Sequence, residues 1–447
     1  MNELLAIAER IAEQATNGEQ IEAFVSKGSS IEAKAYGGEV ESFTSATSAG
    51  IGIRVIAEGR VGFAHAGSLE EDVLGETLAE ARDNRAFAEF DEWVGLSEPD
   101  GGTPIVHDSW DDGVSAMATE DKIQMALDLE AQVLNSDPRI SGSRVSMYSD
   151  SSGELALATS TGVRATDRGT GAAISIMAMA KDDDGETQVG FGSDVNFGPG
   201  PLSIDKAAKD AVTRATRLLG ATQPPSSKVT IVLEPRMANS IIGILVGMLN
   251  GGRVLKGRSP FVDRMGEQIS SPLLTITDDP TDSRSFGVTS VDAEGQTASP
   301  STLVDNGVLR TFLHNTYTGR RSGEGTTANA VRGYASTPGV GAHVVIVEPG
   351  SGDLDSITAN VDHGLLVTSM SGLHSGVNAI SGDFSVGVSG LMIREGEVAE
   401  PIREATIAST MQKMLNDVVA VGADTEWLPG GAGMVSLAIA DVAMSGA

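Results

Sequence analysis

The sequence predicts an α+β protein: an N-terminal α/β region of meandering strands and helices, followed by a strand-rich C-terminal domain. Three observations support this. Residues 3–88 set helical apolar spacing on either side of a run of short period-two segments. The polar, proline-bearing stretch Gln223-Pro-Pro-Ser-Ser227 separates a helical pattern from the apolar run 229–233. Beyond it, glycine-punctuated alternation dominates and long helical patterns are few.

Taken in order, residues 3–14 place Leu4, Leu5, Ile7, Ala8, Ile11 and Ala12 on one helical face. Short strands are expected at 21–27, 30–36, 40–46, 50–57 and 61–66, with turns at Gly37-Gly38 and Gly59-Arg60. Helical spacing returns over 69–88. Residues 96–112 hold Pro99, Gly101, Gly102 and Pro104 and read as a connector, with a sub-boundary near 96–115. Thr119 is placed as the N-cap of a helix running to 136, with Glu120 and Asp121 in its first turn. Strands follow at 140–150, 154–160, 164–167 and 172–181, and a helix starting at Ser203 or Asp205 reaches 219. The main boundary is set between a domain 1–222 and a domain 228–447. In the second, the helix after Pro235 carries Met237, Ile241, Ile242, Leu245, Val246 and Leu249 and is expected to end at Gly251-Gly252.

Composition narrows the function classes. At 447 residues the chain exceeds one ordinary core, and its 40% apolar and 21% charged residues suit a soluble globular protein. The formal charge of −30 repels phosphate backbones and argues against nucleic-acid binding. The absence of cysteine excludes disulfides, thiolate zinc sites and a Cys nucleophile. The N-terminal segment carries acids where a signal peptide needs a basic start, and no apolar run is long enough to span a bilayer. A cytoplasmic location follows as the expectation.

The most informative stretch is 375–401. Gly376, Gly382, Gly387 and Gly390 mark turns or close backbone approaches, and Phe384, Val386 and Val388 alternate as a half-buried strand that runs on to a Glu395-Gly396 turn. Asp383 is expected to accept backbone N–H bonds and pin the turn. This segment resembles the closing-domain signature of the TldD/PmbA family, two-subunit bacterial and archaeal peptidases once described as modulators of DNA gyrase. The resemblance implies an alternative to turn pinning: Asn378, Asp383 and Ser385 line the groove where an extended peptide would lie in that family. Lys256-Gly-Arg-Ser-Pro-Phe, Arg264, Gly266-Glu267 and Ser271-Pro272 resemble the segment that follows the family's zinc helix. With that segment as register, the His-Glu-x-x-x-His positions of the metal-bearing branch fall on Ile242, Gly243 and Gly247. Isoleucine and glycine supply neither a zinc ligand nor a general base. The resemblance is therefore to the PmbA (TldE) branch, which lacks the metal site, and the helix is expected to be a packing helix.

Other chemistry is poorly supported. The histidines stand apart at 65, 107, 314, 343, 363 and 374; only a distant gathering, such as His363 and His374 with a carboxylate, would make a metal site. Asp182-Asp183-Asp184-Gly185-Glu186 lacks the spacing of a calcium loop and reads as a solvated hairpin turn, and Asp278-Asp279-Pro280 reads as a turn. There is no nucleophile elbow, Walker loop or dinucleotide fingerprint. Trp427-Leu-Pro-Gly-Gly-Ala-Gly433, near where the metal-bearing branch supplies its cysteine, reads as a turn before a last strand at 434–439.

The resemblance implies a subunit without cofactor of its own, pairing with a TldD-like zinc-bearing sister in a peptidase of unfolded or modified peptides. Alone, it is expected to form a homodimer through the same surface. The alternatives are a peptide-binding scaffold without a role in hydrolysis, and a self-sufficient hydrolase with an unrecognised metal site.

Overall fold

The N-terminal sheet is built from β1 (Gln20–Tyr36), β2 (Glu39–Ala57), β3 (Arg60–Ala66), β4 (Ile140–Thr159), β5 (Arg164–Lys181) and β6 (Thr187–Asn196). All pair antiparallel, in the order β3-β2-β1-β4-β5-β6. The computed structural model describes residues 2–16, 18–182 and 185–446, and its class is α+β. Four pairs of expected short strands are in fact four long ones. The Gly28-Ser29-Ser30 stretch interrupts apolar alternation, yet it stays in register with 46–48 on one side and 151–153 on the other. Small polar residues break the hydrophobic pattern without breaking the backbone ladder. Strand β6 was not anticipated, because its glycines carry no apolar signal. They are needed for packing: a Cβ on Gly190 or Gly192 would lie 2.1 or 1.9 Å from a backbone oxygen of the overlying helix. Lys181 pairs with Thr187, so β5 and β6 are hairpin neighbours; Asp183 and Asp184, within the run expected as a turn, lie outside the described residues.

Helices cover one face of this sheet. α1 (Asn2–Ala12) and α2 (Glu71–Arg85) pack on Ile21, Ala23, Val25, Ile51, Ile53 and Val55. α3 (Thr119–Ser136) and α4 (Ile204–Thr216) pack on Ala33, Ala35, Tyr148, Ile174 and Ile176. The alanines 207, 208, 211 and 215 bring α4 close to the sheet. Ser203 caps α4 by accepting from Lys206 N–H at 3.2 Å. Thr119, expected as a cap, is instead the first helical residue of α3; Ala118 takes the cap position with no side-chain bond.

In the C-terminal half, β7 (Ser227–Leu233), β8 (His363–Ser371), β9 (Asp383–Arg394), β10 (Glu397–Thr410) and β11 (Leu437–Ser445) form a closed ring. The ring runs β10-β9-β8-β7-β11 and closes back from β11 to β10. Only β7 and β8 pair parallel. Closure removes the open strand edges of the ring. A second sheet of short strands, Val308–Leu309, Ser301–Asp305, Ile276–Asp278, Val345–Val347, Gly433–Met434 and Glu426–Trp427, stands beside it. α5 (Pro235–Met248) lies between the two, and one apolar cluster joins its Ile241, Ile242 and Leu245 to both. The glycines expected to end α5 instead open the next short helix, Gly251–Val254, whose cap is Asn250. The expected last strand splits, because Gly433–Met434 belongs to the second sheet and β11 to the barrel. Asp278 is also more than a turn residue: it is buried and accepts from the His343 and Val344 backbone and from Asn329 Nδ2.

The other face of the N-terminal sheet meets the C-terminal half through a buried charge quartet. Cross-strand partners Glu22 and Arg54 form two bonds, at 2.7 and 2.6 Å. Arg54 Nη2 also donates to Glu294 at 3.1 Å. Arg332 Nη1 pairs with Glu22 Oε1 at 2.6 Å, and its guanidinium stacks 4.6 Å from the Phe24 ring centre. Burial alone would raise the Glu22 carboxyl, but Arg332 and Arg54 hold it below the ordinary carboxylate range. Residues 96–100 cross the same junction, with Ser97 Oγ donating to Glu294 O and Asp100 accepting from Thr297 N–H.

Removing one member strands the others. Arg54→Ala should cost about 3–5 kcal/mol in chemical denaturation, because two carboxylates stay buried without it. Arg264→Ala, which breaks an exposed pair with Glu267, should cost less than about 1 kcal/mol. Comparable losses in the two variants would show that the quartet is not a special constraint.

Asp292 gives a pH dependence. Burial, with the neighbouring Glu294 charge, pushes its carboxyl up to about 7, against three backbone N–H donors. An unfolded Asp titrates near 4, so the folded state holds the proton more tightly. Its stabilising contribution is complete below about pH 4 and is lost as pH rises through about 7. Urea unfolding across that interval should show this decline, and Asp292→Asn should flatten it. An identical slope in the variant would exclude Asp292 as the source.

Candidate functional site

An open cleft of about 1030 Å³ lies in the C-terminal half. Two asparagines build its floor. Asn250 accepts from Arg253 N–H and so starts the helix Gly251–Val254, while its Nδ2 donates to Val340 O at 2.7 Å. Asn315 starts the helix Thr316–Ser322 through a reciprocal capping box with Thr318, and its Nδ2 donates to Pro338 O and Gly339 O. Both helices are thereby tied to the strand Gly339–Val340. Gly251 is required here: a Cβ would lie 2.3 Å from the His314 ring and 2.6 Å from Leu313 O. His314 is buried, which lowers its pKa, and neither ring nitrogen has a described partner.

The opposite wall is the segment 375–385, which holds all three residues expected to line a peptide groove. β9 alternates, so Asp383 and Ser385 are exposed toward the cleft while Phe384 and Val386 enter the core. Asn378 lines the cleft and also performs the pinning assigned to Asp383. Its Oδ1 accepts from Ile380 and Ser381 N–H, and its backbone brackets the turn through Asp383 O and Gly382 N. Asp383 accepts from the Ser381 hydroxyl at 2.6 Å, not from backbone N–H. Gly376 sits so close to Ser385 O that a Cβ would fall 1.9 Å away, which fixes the wall against β9.

A cationic wall faces this one. Arg253, Lys256 and Arg258 lie on and just after the helix Gly251–Val254, and none of them pairs with a described carboxylate. Arg321, on the helix Thr316–Ser322, donates to Tyr317 Oη, which in turn donates to Asp91. Asp383 is the one acidic residue of the lining. Sequence reasoning missed this wall, although three bases within six residues of a strongly acidic chain were a usable signal.

The three positions of the degenerate zinc motif are not brought together as a site. Ile242 is 0% exposed and shares the apolar cluster with Leu428 and Met434. Gly243 is exposed and Gly247 half-buried, and nothing lies within 4 Å of a Cβ built on either. The loop 427–433 is a tight hairpin between Glu426–Trp427 and Gly433–Met434, with Gly430 and Gly431 at φ 89° and 93°. The donor chemistry around α5 therefore does not fit zinc. His363 opens β8 and His374 lies beyond its other end, in the short helix Leu373–Gly376; the strand between them spans about 26 Å at ~3.3 Å per residue, so they do not share an ion. Among the described residues no three His, Asp or Glu side chains converge on a metal-sized space.

Comparisons with known proteins give this architecture a family. Residues 21–85 match the model of PmbA/TldA metallopeptidase domain 1, residues 112–219 the central domain, and residues 226–446 the C-terminal domain. The chain belongs to the PmbA/TldD family. It is 25% identical to a metalloprotease PmbA homolog of Haemophilus influenzae, over 92% of this chain and 88% of that one. It is 24% identical to metalloprotease PmbA of Escherichia coli O157:H7, over 95% and 92%. The fold of TldE from Thermococcus kodakarensis superposes with a TM-score of 0.89 at 21% identity, covering 100% of both chains. No described helix is long and apolar enough to cross a membrane.

The two glycine environments make opposite predictions for this PmbA/TldD chain. Gly243→Ala meets nothing and adds helix propensity, so it should stabilise by about 0.5–1 kcal/mol. Gly251→Ala drives a methyl into backbone and a buried ring, and should destabilise by about 1–3 kcal/mol. Thermal melts of both variants check this; a destabilising Gly243→Ala would mean that its open face is filled.

Proposed function

We propose that this chain is the metal-free subunit of a PmbA/TldD-type peptidase, acting with a zinc-bearing sister that carries the His-Glu-x-x-x-His helix. The observation that carries the reading is that Ile242 is locked in the apolar core and Gly243 and Gly247 bear no side chain, at the positions where the family's metal-bearing members are expected to place their ligands. In this division of labour the sister supplies the ion, the activated water and the general base. This chain supplies walls of the chamber in which unfolded or modified peptides are held.

The cleft suits that task. Its rigid floor is fixed by side chain-to-backbone bonds from Asn250 and Asn315. Asn378, Asp383 and Ser385 offer amide, carboxylate and hydroxyl groups to an extended backbone, and the cationic residues stand across from them. Without its sister, the subunit pairs with a second copy through the same surface.

The test is reconstitution. The purified chain should carry zinc well below one ion per protomer and cleave no peptide. Mixed with a family member that bears the zinc helix, it should yield chelator-sensitive cleavage exceeding that of either protein alone. Peptide binding by this chain with no gain in cleavage on mixing would favour a scaffold. Stoichiometric zinc and chelator-sensitive cleavage by the lone chain would sink the proposal.

A further inference from the structure

The charge of the cleft is opposite to that of the protein. The whole chain carries 31 basic against 61 acidic residues, whereas the cleft lining carries Arg253, Lys256, Arg258 and Arg321 against Asp383 alone. The three cations of the first wall have no described carboxylate partner, although acids outnumber bases about two to one over the chain. Several exposed cations elsewhere do have partners, Lys413 reaching both Asp417 and Asp441 and Lys206 lying near Asp194 and Asp210, while among the described residues Arg144, Lys181 and Lys209 stand singly at scattered places. Arg253, Lys256 and Arg258 differ in being gathered on one wall of a single cleft.

We infer that the cleft selects acidic peptide segments, with side-chain carboxylates held by Arg253, Lys256 and Arg258 and the backbone lying against Asn378 and Ser385. The inference rests on the accessory-subunit reading for the presence of a peptide and adds its chemical class. An acidic peptide is favoured over a nucleic acid on two grounds. The surrounding field is strongly negative and repels an extended polyanion, and the opposite wall presents amide and hydroxyl groups rather than the stacked aromatics that hold single-stranded bases. A short peptide with spaced carboxylates reaches the wall without laying a continuous charge along the acidic surface. A carboxylate that enters the cleft meets guanidinium and ammonium groups whose charges no internal partner already answers. The negative exterior and positive interior together focus the field on the cleft mouth.

The test uses the full-length chain and fluorescence anisotropy with three labelled peptides of about eight residues, equal in length and rich in Glu, Lys or Ser. An oligonucleotide matched in charge to the Glu peptide is the fourth probe. The Glu peptide should bind at least about tenfold tighter than the Ser peptide, and the Lys peptide more weakly still. Raising salt from about 50 to about 300 mM should narrow the difference. Lys256→Glu should remove most of the preference. Arg144→Glu, an equal charge change at an exposed residue outside the cleft, should leave it intact. Equal binding of the three peptides, or tighter binding of the oligonucleotide, overturns the inference, as does a preference untouched by Lys256→Glu. If the Ser peptide binds as well as the Glu peptide, and Asn378→Ala weakens both, the groove survives and only its charge selectivity fails. If no peptide binds, the accessory-groove reading fails with it.

Discussion

The buried quartet of Glu22, Arg54, Glu294 and Arg332 is the constraint on which the rest of the structure depends. It places two opposite pairs where no water answers them, so each residue is tolerable only while the others stay in place. Its members come from adjacent strands of the N-terminal sheet and from two separate segments of the C-terminal half. The quartet therefore fixes how the two sheet systems meet. It also reaches the cleft: Glu294 uses its second oxygen to accept from Thr316 N–H at 2.8 Å, at the start of the helix that carries Tyr317 and Arg321. A carboxylate held by an arginine on the N-terminal sheet thus helps to anchor one wall of a site in the other half.

The cleft itself follows from an economical use of asparagine and glycine. Asn250, Asn315 and Asn378 each satisfy backbone groups that would otherwise be orphaned at helix starts and turns. Gly251 and Gly376 permit approaches that any side chain would prevent. Because these residues take over the work of holding the backbone, Arg253, Lys256 and Arg258 of the lining are left free of described carboxylate pairing.

Much of this was legible in the sequence and the remainder had definite reasons to be hidden. The α+β class, the amphipathic helices and the alternation of Phe384, Val386 and Val388 could be read because apolar period reports burial directly. Asn378, Asp383 and Ser385 were grouped through the family resemblance, and they do line one cleft, although the turn is pinned by Asn378 and not by Asp383. Strand lengths were underestimated wherever Gly and Ser cross the middle of the sheet, since pairing there depends on neighbours far along the chain. Strand β6 was hidden because its fit to α4 needs the absence of side chains rather than their presence. The quartet was invisible for a related reason. Glu22 and Glu294 are separated by most of the chain, and only the fold reveals that one arginine serves both.

The closed barrel imposes an order on folding. β11 must hydrogen-bond to β7 on one side and to β10 on the other before the ring exists, and β7 is separated from it by some two hundred residues of intervening chain. During synthesis, β7 is therefore finished long before its neighbour is available. Until residues 437–445 emerge, the nascent C-terminal half carries two unmatched strand borders beside its largest apolar cluster. The N-terminal sheet has no such dependence, so it can mature first and present Glu22 and Arg54 as a template on which the later half docks.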